Sequence, residues 1–239
     1  MTATSHCLNP ALKPSHLRQT FKRLGRVRIR GLLADDAALT LHHQLRNRSD
    51  WLQVINSGEL LYELSRDVRS HMEPTRAEAL DQAVYAGARN GFQFRYESIR
   101  VPDDAVARSA SPDPLAAFAT FMSSPEMIGL LRDITGIRAI RFADAQATAY
   151  SPGDFLTEHD DAVEGKGRLA AFVLGLTPQW RLEWGGQLLF HGEQGTISHG
   201  EMPGFNTLDV FAVPQRHSVS EVTRAAAYRR YAVTGWLRG

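Results

Sequence analysis

Cysteine is almost absent from this chain. Cys7 is the only one in 239 residues, so no internal disulfide can form and no thiolate zinc site can be built. That scarcity fits a reducing compartment, and a cytoplasmic location is the expectation. Lysine is nearly as scarce, with only Lys13, Lys22 and Lys166 among 27 basic residues. Charge of one sign is lacking too: 27 basic against 26 acidic side chains leave a net charge of +1. That balance gives no bulk attraction to nucleic acid or to an anionic membrane, and neither is expected as a partner. The longest apolar run, "LAAFVLGL", has eight residues, far short of the ~20 that a membrane helix needs. The opening "MTATSHCLNP" has no apolar core like that of a signal peptide.

What is present is ordinary for a globular protein, with 43% hydrophobic and 22% charged residues. The first half reads as mostly helical. Asp35 or Asp36 can cap a helix carrying Leu39, Leu41 and Leu45. Thr75 and Glu78 form a T-x-x-E capping box ahead of a helix running to about Arg89, stopped by Asn90-Gly91. Further helices are expected over about 113–122 and from Ser123 or Ser124 to near Gly136, with Pro125 in the first turn of the latter. The alternating runs "RVRIRGL" and "FQFRYES" look like strands inserted among these helices.

After about residue 136 the period changes from helical to strand-like. From Ile140 to Tyr150, Arg141, Ala143, Ala145, Ala147 and Ala149 face one way; Ile140, Phe142, Asp144, Gln146, Thr148 and Tyr150 face the other. The first, small face suits close packing, and the second suits a pocket wall. Further strands are expected over 168–176, 186–191, 207–213, 216–222 and 229–237, separated by turn residues. The expected class is α+β. One domain spans 1–239, with helical support over about 1–136 and a small barrel or jelly roll over about 137–239.

Histidine followed two residues later by an acid occurs four times: at His71, His159, His191 and His199. His191 and His199 sit in the Gly-rich "FHGEQGTISHGEMPG", which reads as a hairpin or a solvated loop. His71 precedes a helix and has no strand context. His159 alone has partners. It follows the strand ending at Tyr150 and a Ser-Pro-Gly turn; His217 comes 58 residues later in a strand-like run, and Arg230 13 residues after that. Two imidazoles and one carboxylate on one face of Fe(II) leave positions open for other ligands. The His-x-Asp spacing suits two donors sharing a strand face.

The pieces "YSPGDFLTEHDD", "GRLAAFVLGL", "WGGQLLF", "VPQRHSVSEV" and "RRYAVTGW" come in family order and spacing. On them, residues 147–238 resemble the 2-oxoglutarate- and Fe(II)-dependent dioxygenases, in their prolyl hydroxylase branch. The resemblance implies a double-stranded β-helix (jelly-roll) core with supporting helices mainly from the N-terminal half. It implies His159, Asp161 and His217 as metal ligands and catalytic centre, with Asp160 pointing away. It implies Arg230 as the partner of the far carboxylate of 2-oxoglutarate, a role that a planar, always-charged fork fills well. Arg229 is the competing candidate, on the opposite strand face. Tyr150 matches a tyrosine that hydrogen-bonds the cosubstrate, Leu188 and Val219 match apolar neighbours of it, and plain core packing is the other reading of all three. Arg168 and Trp236 match positions at the substrate mouth.

The implied cofactor is Fe(II), with 2-oxoglutarate and O2 as cosubstrates and ascorbate as an accessory reductant. The implied reaction hydroxylates a C–H bond, best a prolyl residue of a protein in the translation machinery, while 2-oxoglutarate is decarboxylated to succinate. Two alternatives stand beside it. One is a hydroxylase of a free amino acid or other small molecule, which an Arg95–Arg168 anion pair in the cavity would favour. The other is a sensor that binds metal or 2-oxoglutarate without turnover. There are two departures from the family: nothing before residue 137 aligns with it, and a second tyrosine found in some members aligns with Gly175. Thr177 or water is then the expected second donor to the far carboxylate. The segment "NGFQFRYESIRVPDDAV" is the expected substrate loop, or else a structural hairpin.

Overall fold

The computed structural model describes residues 6–239. The chain runs α1 (Pro14–Leu24), β1 (Arg26–Arg30), α2 (Ala37–Arg46), β2 (Leu52–Ser57), β3 (Leu60–Ser65), α3 (Arg66–Ser70), α4 (Pro74–Asn90), β4 (Phe94–Arg100), α5 (Ala105–Ala110), α6 (Pro114–Met122) and α7 (Pro125–Thr135). Then come β5 (Phe142–Ala143), β6 (Gln146–Tyr150), β7 (Phe155–His159), β8 (Arg168–Leu176), β9 (Leu188–His191), β10 (Ile197–Glu201), β11 (Phe205–Ala212), β12 (His217–Val219) and β13 (Arg230–Arg238).

Local chemistry sets most helix ends. The Asp113 carboxylate accepts from Leu115 N–H and Pro114 opens α6. Ser124 accepts from Met127 N–H, Pro125 opens α7, and Gly136 closes it at φ 74°. The expected Thr75–Glu78 capping box does not form. Pro74 starts α4 one residue earlier, because its fixed φ and missing N–H suit a first helical position, and Thr75 falls inside the first turn. In α2, Leu41 and Leu45 are buried with Ala38 on one stripe, while Leu39 lies off it and is 39% exposed.

The strands form one curled, antiparallel sheet in the order β1-β11-β8-β13-β6-β4-β7-β12-β9-β10, with β2 and β3 branching from β4 and β5 joining β13. The curl agrees with the jelly-roll expectation. Helices cover its outer face: Leu41, Leu45, Phe118, Met122 and Leu131 pack against Ile29, Leu174, Leu208 and Val233. Ala143, Ala145, Ala147 and Ala149 join that layer, as the small face of the alternation requires. The run from 140 to 150 is not one strand, however. At Asp144 the chain is pinched against β13, where Asp144 N–H donates to Trp236 O and Trp236 N–H donates to the Asp144 carboxylate. Gly235 permits this, since a Cβ there would lie 2.0 Å from the Asp144 carbonyl oxygen.

The β2–β3 hairpin was not expected. It turns at Gly58 (φ 58°), and Leu60, Leu61 and Tyr62 of β3 are all exposed, so no in-and-out period marks it. "NGFQFRYESIRV" is neither a free loop nor a hairpin: its centre is β4, paired with β2, β6 and β7.

Candidate metal and cosubstrate site

β7 ends at His159 and β12 begins at His217, and the two residues are register partners, so their rings meet at a centroid distance of 4.1 Å. Asp161 reaches the same point by a different route from the one expected. It lies beyond the end of β7, and its backbone turns left-handed at φ 64°. Aspartate is among the few residues that visit this region readily. The turn folds the carboxylate back, placing Asp161 Oδ1 3.6 Å from His159 Nε2 and Oδ2 3.4 Å from His217 Nε2. Asp160, in the same turn, is exposed and accepts from Ala162 N–H.

Both imidazoles are oriented by main chain. His159 Nδ1 lies 3.0 Å from Thr157 O, and His217 Nδ1 lies 2.8 Å from Gln215 O. A ring that donates from Nδ1 to a carbonyl presents the Nε2 lone pair, here toward Asp161, as histidine metal ligands commonly do. Burial, with the neighbouring His159, lowers the His217 pKa to about 4, so its lone pair is free at neutral pH. Phe211 packs edge-on against His217 and Phe92 lies against His159.

The triad opens onto a cavity of about 810 Å³. Arg230 lines it 5% exposed, with its guanidinium 4.9 Å from the Tyr150 ring centroid. Among the described residues no carboxylate pairs with Arg230. Asp209, the nearest acidic influence, is held by two bonds of 2.6 Å from Arg28. Arg229 points out of the barrel and pairs with Glu97 at 2.9 Å, so strand alternation separates the two candidates. Tyr150, Leu188 and Val219 are buried and line the same cavity. At its mouth the Arg168 guanidinium stacks 3.5 Å from the Trp236 ring centroid and donates to Asp161 O.

The comparisons with known proteins agree with this geometry. Residues 145–238 match the model of the 2OG-Fe(II) oxygenase superfamily. That match spans the sheet from β6 to β13 and leaves the preceding helical part outside it. Prolyl 3-hydroxylase OGFOD1 of Xenopus laevis is 34% identical over 116 residues, 46% of this chain, and prolyl 3-hydroxylase sudestada1 of Drosophila melanogaster is 31% identical over 122. The match covers 22% of each of those longer proteins. Among solved structures, a Pseudomonas putida prolyl-4-hydroxylase superposes with a TM-score of 0.61 at 17% identity, covering 95% of this chain and 98% of that one. A Trichoplax adhaerens prolyl hydroxylase, solved with a hypoxia inducible factor peptide fragment, gives 0.61 at 16% identity, covering 94% and 88%. At such identities the structures show the shared fold.

Several expected contacts are absent. Thr177 does not face the cavity: its hydroxyl donates to Tyr231 O and accepts from Tyr231 N–H. No side chain could stand at Gly175, because a Cβ would lie 2.5 Å from the Gly204 carbonyl oxygen. The Arg95–Arg168 pair does not exist. Arg95 is engaged with Asp81, Asp154 and the Gly153 carbonyl, away from the cavity. Of the other three histidines in His-x-acid pairs, His71 pairs with Asp67 at the surface, and His199, in the β9–β10 hairpin, pairs with Glu201 and stacks on Phe190. His191 is no free loop residue, since it bridges Glu158 and the Ser218 hydroxyl.

One part of the wall comes largely from the segment that the sequence marks as a strand and as the candidate substrate loop. Phe92, Phe94, Tyr96 and Tyr150 form a continuous run of ring contacts at centroid distances of 5.1–5.6 Å. The every-second-residue aromatics of "FQFRY" were its visible signal.

Proposed function

We propose that this chain is an Fe(II)- and 2-oxoglutarate-dependent dioxygenase that hydroxylates a prolyl residue of a protein or peptide. Arg230 carries the reading: a buried cation without an acid opens onto the same cavity as a two-imidazole, one-carboxylate donor set. A buried unpaired charge is expensive unless a ligand of opposite charge completes it. The donor set suits the metal equally well, with two Nε2 lone pairs already aimed at one carboxylate.

Iron would be held by His159, Asp161 and His217, and when bound with 2-oxoglutarate it supplies the oxygen-activating chemistry. The chain supplies position and environment. Arg230 takes the far carboxylate of the cosubstrate. Tyr150, Leu188 and Val219 wall it from water. Arg168 and Trp236, stacked at the mouth, offer a flat cationic and aromatic surface to a peptide. The prolyl 3-hydroxylase names of the sequence relatives support proline as the target. A substrate in the translation machinery, a cytoplasmic setting and ascorbate as reductant belong to the same proposal. The small-molecule alternative loses its supporting feature with the Arg95–Arg168 pair.

The test starts under nitrogen, with Fe(II) and then 2-oxoglutarate added to the protein. A weak visible charge-transfer band should appear and vanish in His159→Ala and His217→Ala. Oxygen should then yield succinate, and cell-extract proteins should gain one oxygen (+16 Da) on proline. A band that survives both substitutions refutes the metal site, and a band without succinate refutes turnover.

A further inference from the structure

The rung of the sheet beside Arg230 holds a polar group that the protein itself leaves unused. Thr148, in β6, is only 2% exposed, and its Oγ1 has no hydrogen-bond partner. Such atoms are rare in folded proteins and call for a physical account.

Register gives the setting. Thr148 stands opposite Ala232 of β13, and Ala232 stands opposite Gly175 of β8, so the three share one rung. Arg230 and Tyr150 form the next-but-one pair along the same two strands, and side chains two apart share a face. Thr148, Tyr150 and Arg230 all line the cavity. Ala232 on one side of Thr148 offers no side-chain acceptor, and Ser98 of β4, its register partner on the other side, makes no hydrogen bond to it. A second unpartnered hydroxyl, that of Thr207, lies at the far end of the rung. Gly204 packs over it, with a Cβ there lying 2.7 Å from Thr207 Oγ1, and Thr207 does not line the cavity. Only Thr148 is placed to meet a ligand.

We propose that the Thr148 hydroxyl is the second side-chain donor to the far carboxylate of 2-oxoglutarate, completing with Arg230 the clamp that holds it. This rests on the function proposed above. A carboxylate has about four lone-pair positions, and an arginine fork occupies two of them. Gly175 brings no side chain and the Thr177 hydroxyl is committed elsewhere, so the remaining capacity falls to the cavity wall. A hydroxyl aimed at a charged acceptor makes one of the stronger hydrogen bonds. Left unpaired, the same hydroxyl only costs the protein the loss of its hydration.

The experiment titrates 2-oxoglutarate into Mn(II)-loaded protein under nitrogen, by calorimetry, for wild type, Thr148→Val and Thr148→Ser. Valine keeps the shape and removes the donor. Its affinity should fall about tenfold or more, roughly 1.4 kcal/mol. Serine should restore most of it. The Mn(II) affinity measured before the acid is added should match wild type. The unfolding temperature of apo Thr148→Val should equal or exceed that of wild type, since a methyl replaces an unpaired hydroxyl; a purely structural hydroxyl would predict a fall. Wild-type affinity in Thr148→Val, or a loss that serine does not restore, overturns this inference alone. A wild-type protein that binds Mn(II) but not 2-oxoglutarate overturns the proposed function and this inference with it.

Discussion

Replacing Arg230 and Arg229 separately by methionine should damage two different properties. Arg230 is buried, faces the cavity and has no carboxylate partner, because Asp209 is already bound to Arg28. In the complex it would meet the cosubstrate carboxylate away from water. Removing one member of a buried, hydrogen-bonded charge pair costs about 3 kcal/mol or more, which is about a hundredfold or more in Kd. In the free protein the same change removes an unpaired buried cation, so apo stability should stay within about 1 kcal/mol of wild type or rise. Arg229 is the reverse case. Its side chain is 37% exposed and bonds Glu97, which keeps Arg66 and Arg69 as partners. Arg229→Met should cost about 0.5–1 kcal/mol of stability and leave Kd within about twofold. Calorimetric titration with 2-oxoglutarate under nitrogen and denaturant unfolding of the apo proteins measure the two quantities. Equal losses of affinity in the two variants would refute the assignment of Arg230 as anchor.

Glu97 is 1% exposed beside three arginines, and Glu97→Gln should destabilise the fold by about 2–3 kcal/mol in urea unfolding, discounted for the partial exposure of the arginines. Burial pushes the Glu97 carboxyl up, but the Arg66 hydrogen bond and the charges of Arg229, Arg66 and Arg69 outweigh it and hold its pKa below the usual value. That stabilisation is complete above about pH 4 and lost as pH falls through the folded value, so wild type and Glu97→Gln should converge in acid. Gly235→Ala forces a Cβ into the Asp144 carbonyl and should cost about 2–3 kcal/mol or prevent folding, read as loss of a cooperative melt. Mn(II) should raise the unfolding temperature of wild type with the logarithm of its free concentration once that exceeds Kd, and fail to raise that of His217→Ala; an equal rise in both would remove His217 from the site.

Residue type and order carried the candidate site further in the sequence than its geometry. His159, Asp161, His217 and Arg230 were nameable because the motifs around them resemble one enzyme family in order and spacing. The way Asp161 arrives was not legible, since a left-handed turn leaves no mark when aspartate adopts it. The separation of Arg229 from Arg230 was legible, because a period of two is a local rule. Thr148 could not be picked out: a hydroxyl becomes an orphan only once every neighbour is placed, and those neighbours come from β13 and β4. For the same reason the sequence showed that Gly175 lacks a tyrosine but not that the Gly204 main chain fills the space. The helices after Asp113 and Ser124 declared themselves through cap residues, whereas β3, exposed along most of its length, had no pattern to declare.

The neighbouring arginines of β13 also bear on how the protein avoids misassembly. A slip of one residue against β6 and β8 would turn every side chain of β13 to the other face. A slip that set Arg229 in the place of Arg230 would turn Arg230 toward the helices and cost buried Glu97 one of its three cations. The opposite slip would set Tyr231 in the cavity in place of the guanidinium. The ion pair behind the sheet therefore adds a small bias toward the register that aims Arg230 at the cavity.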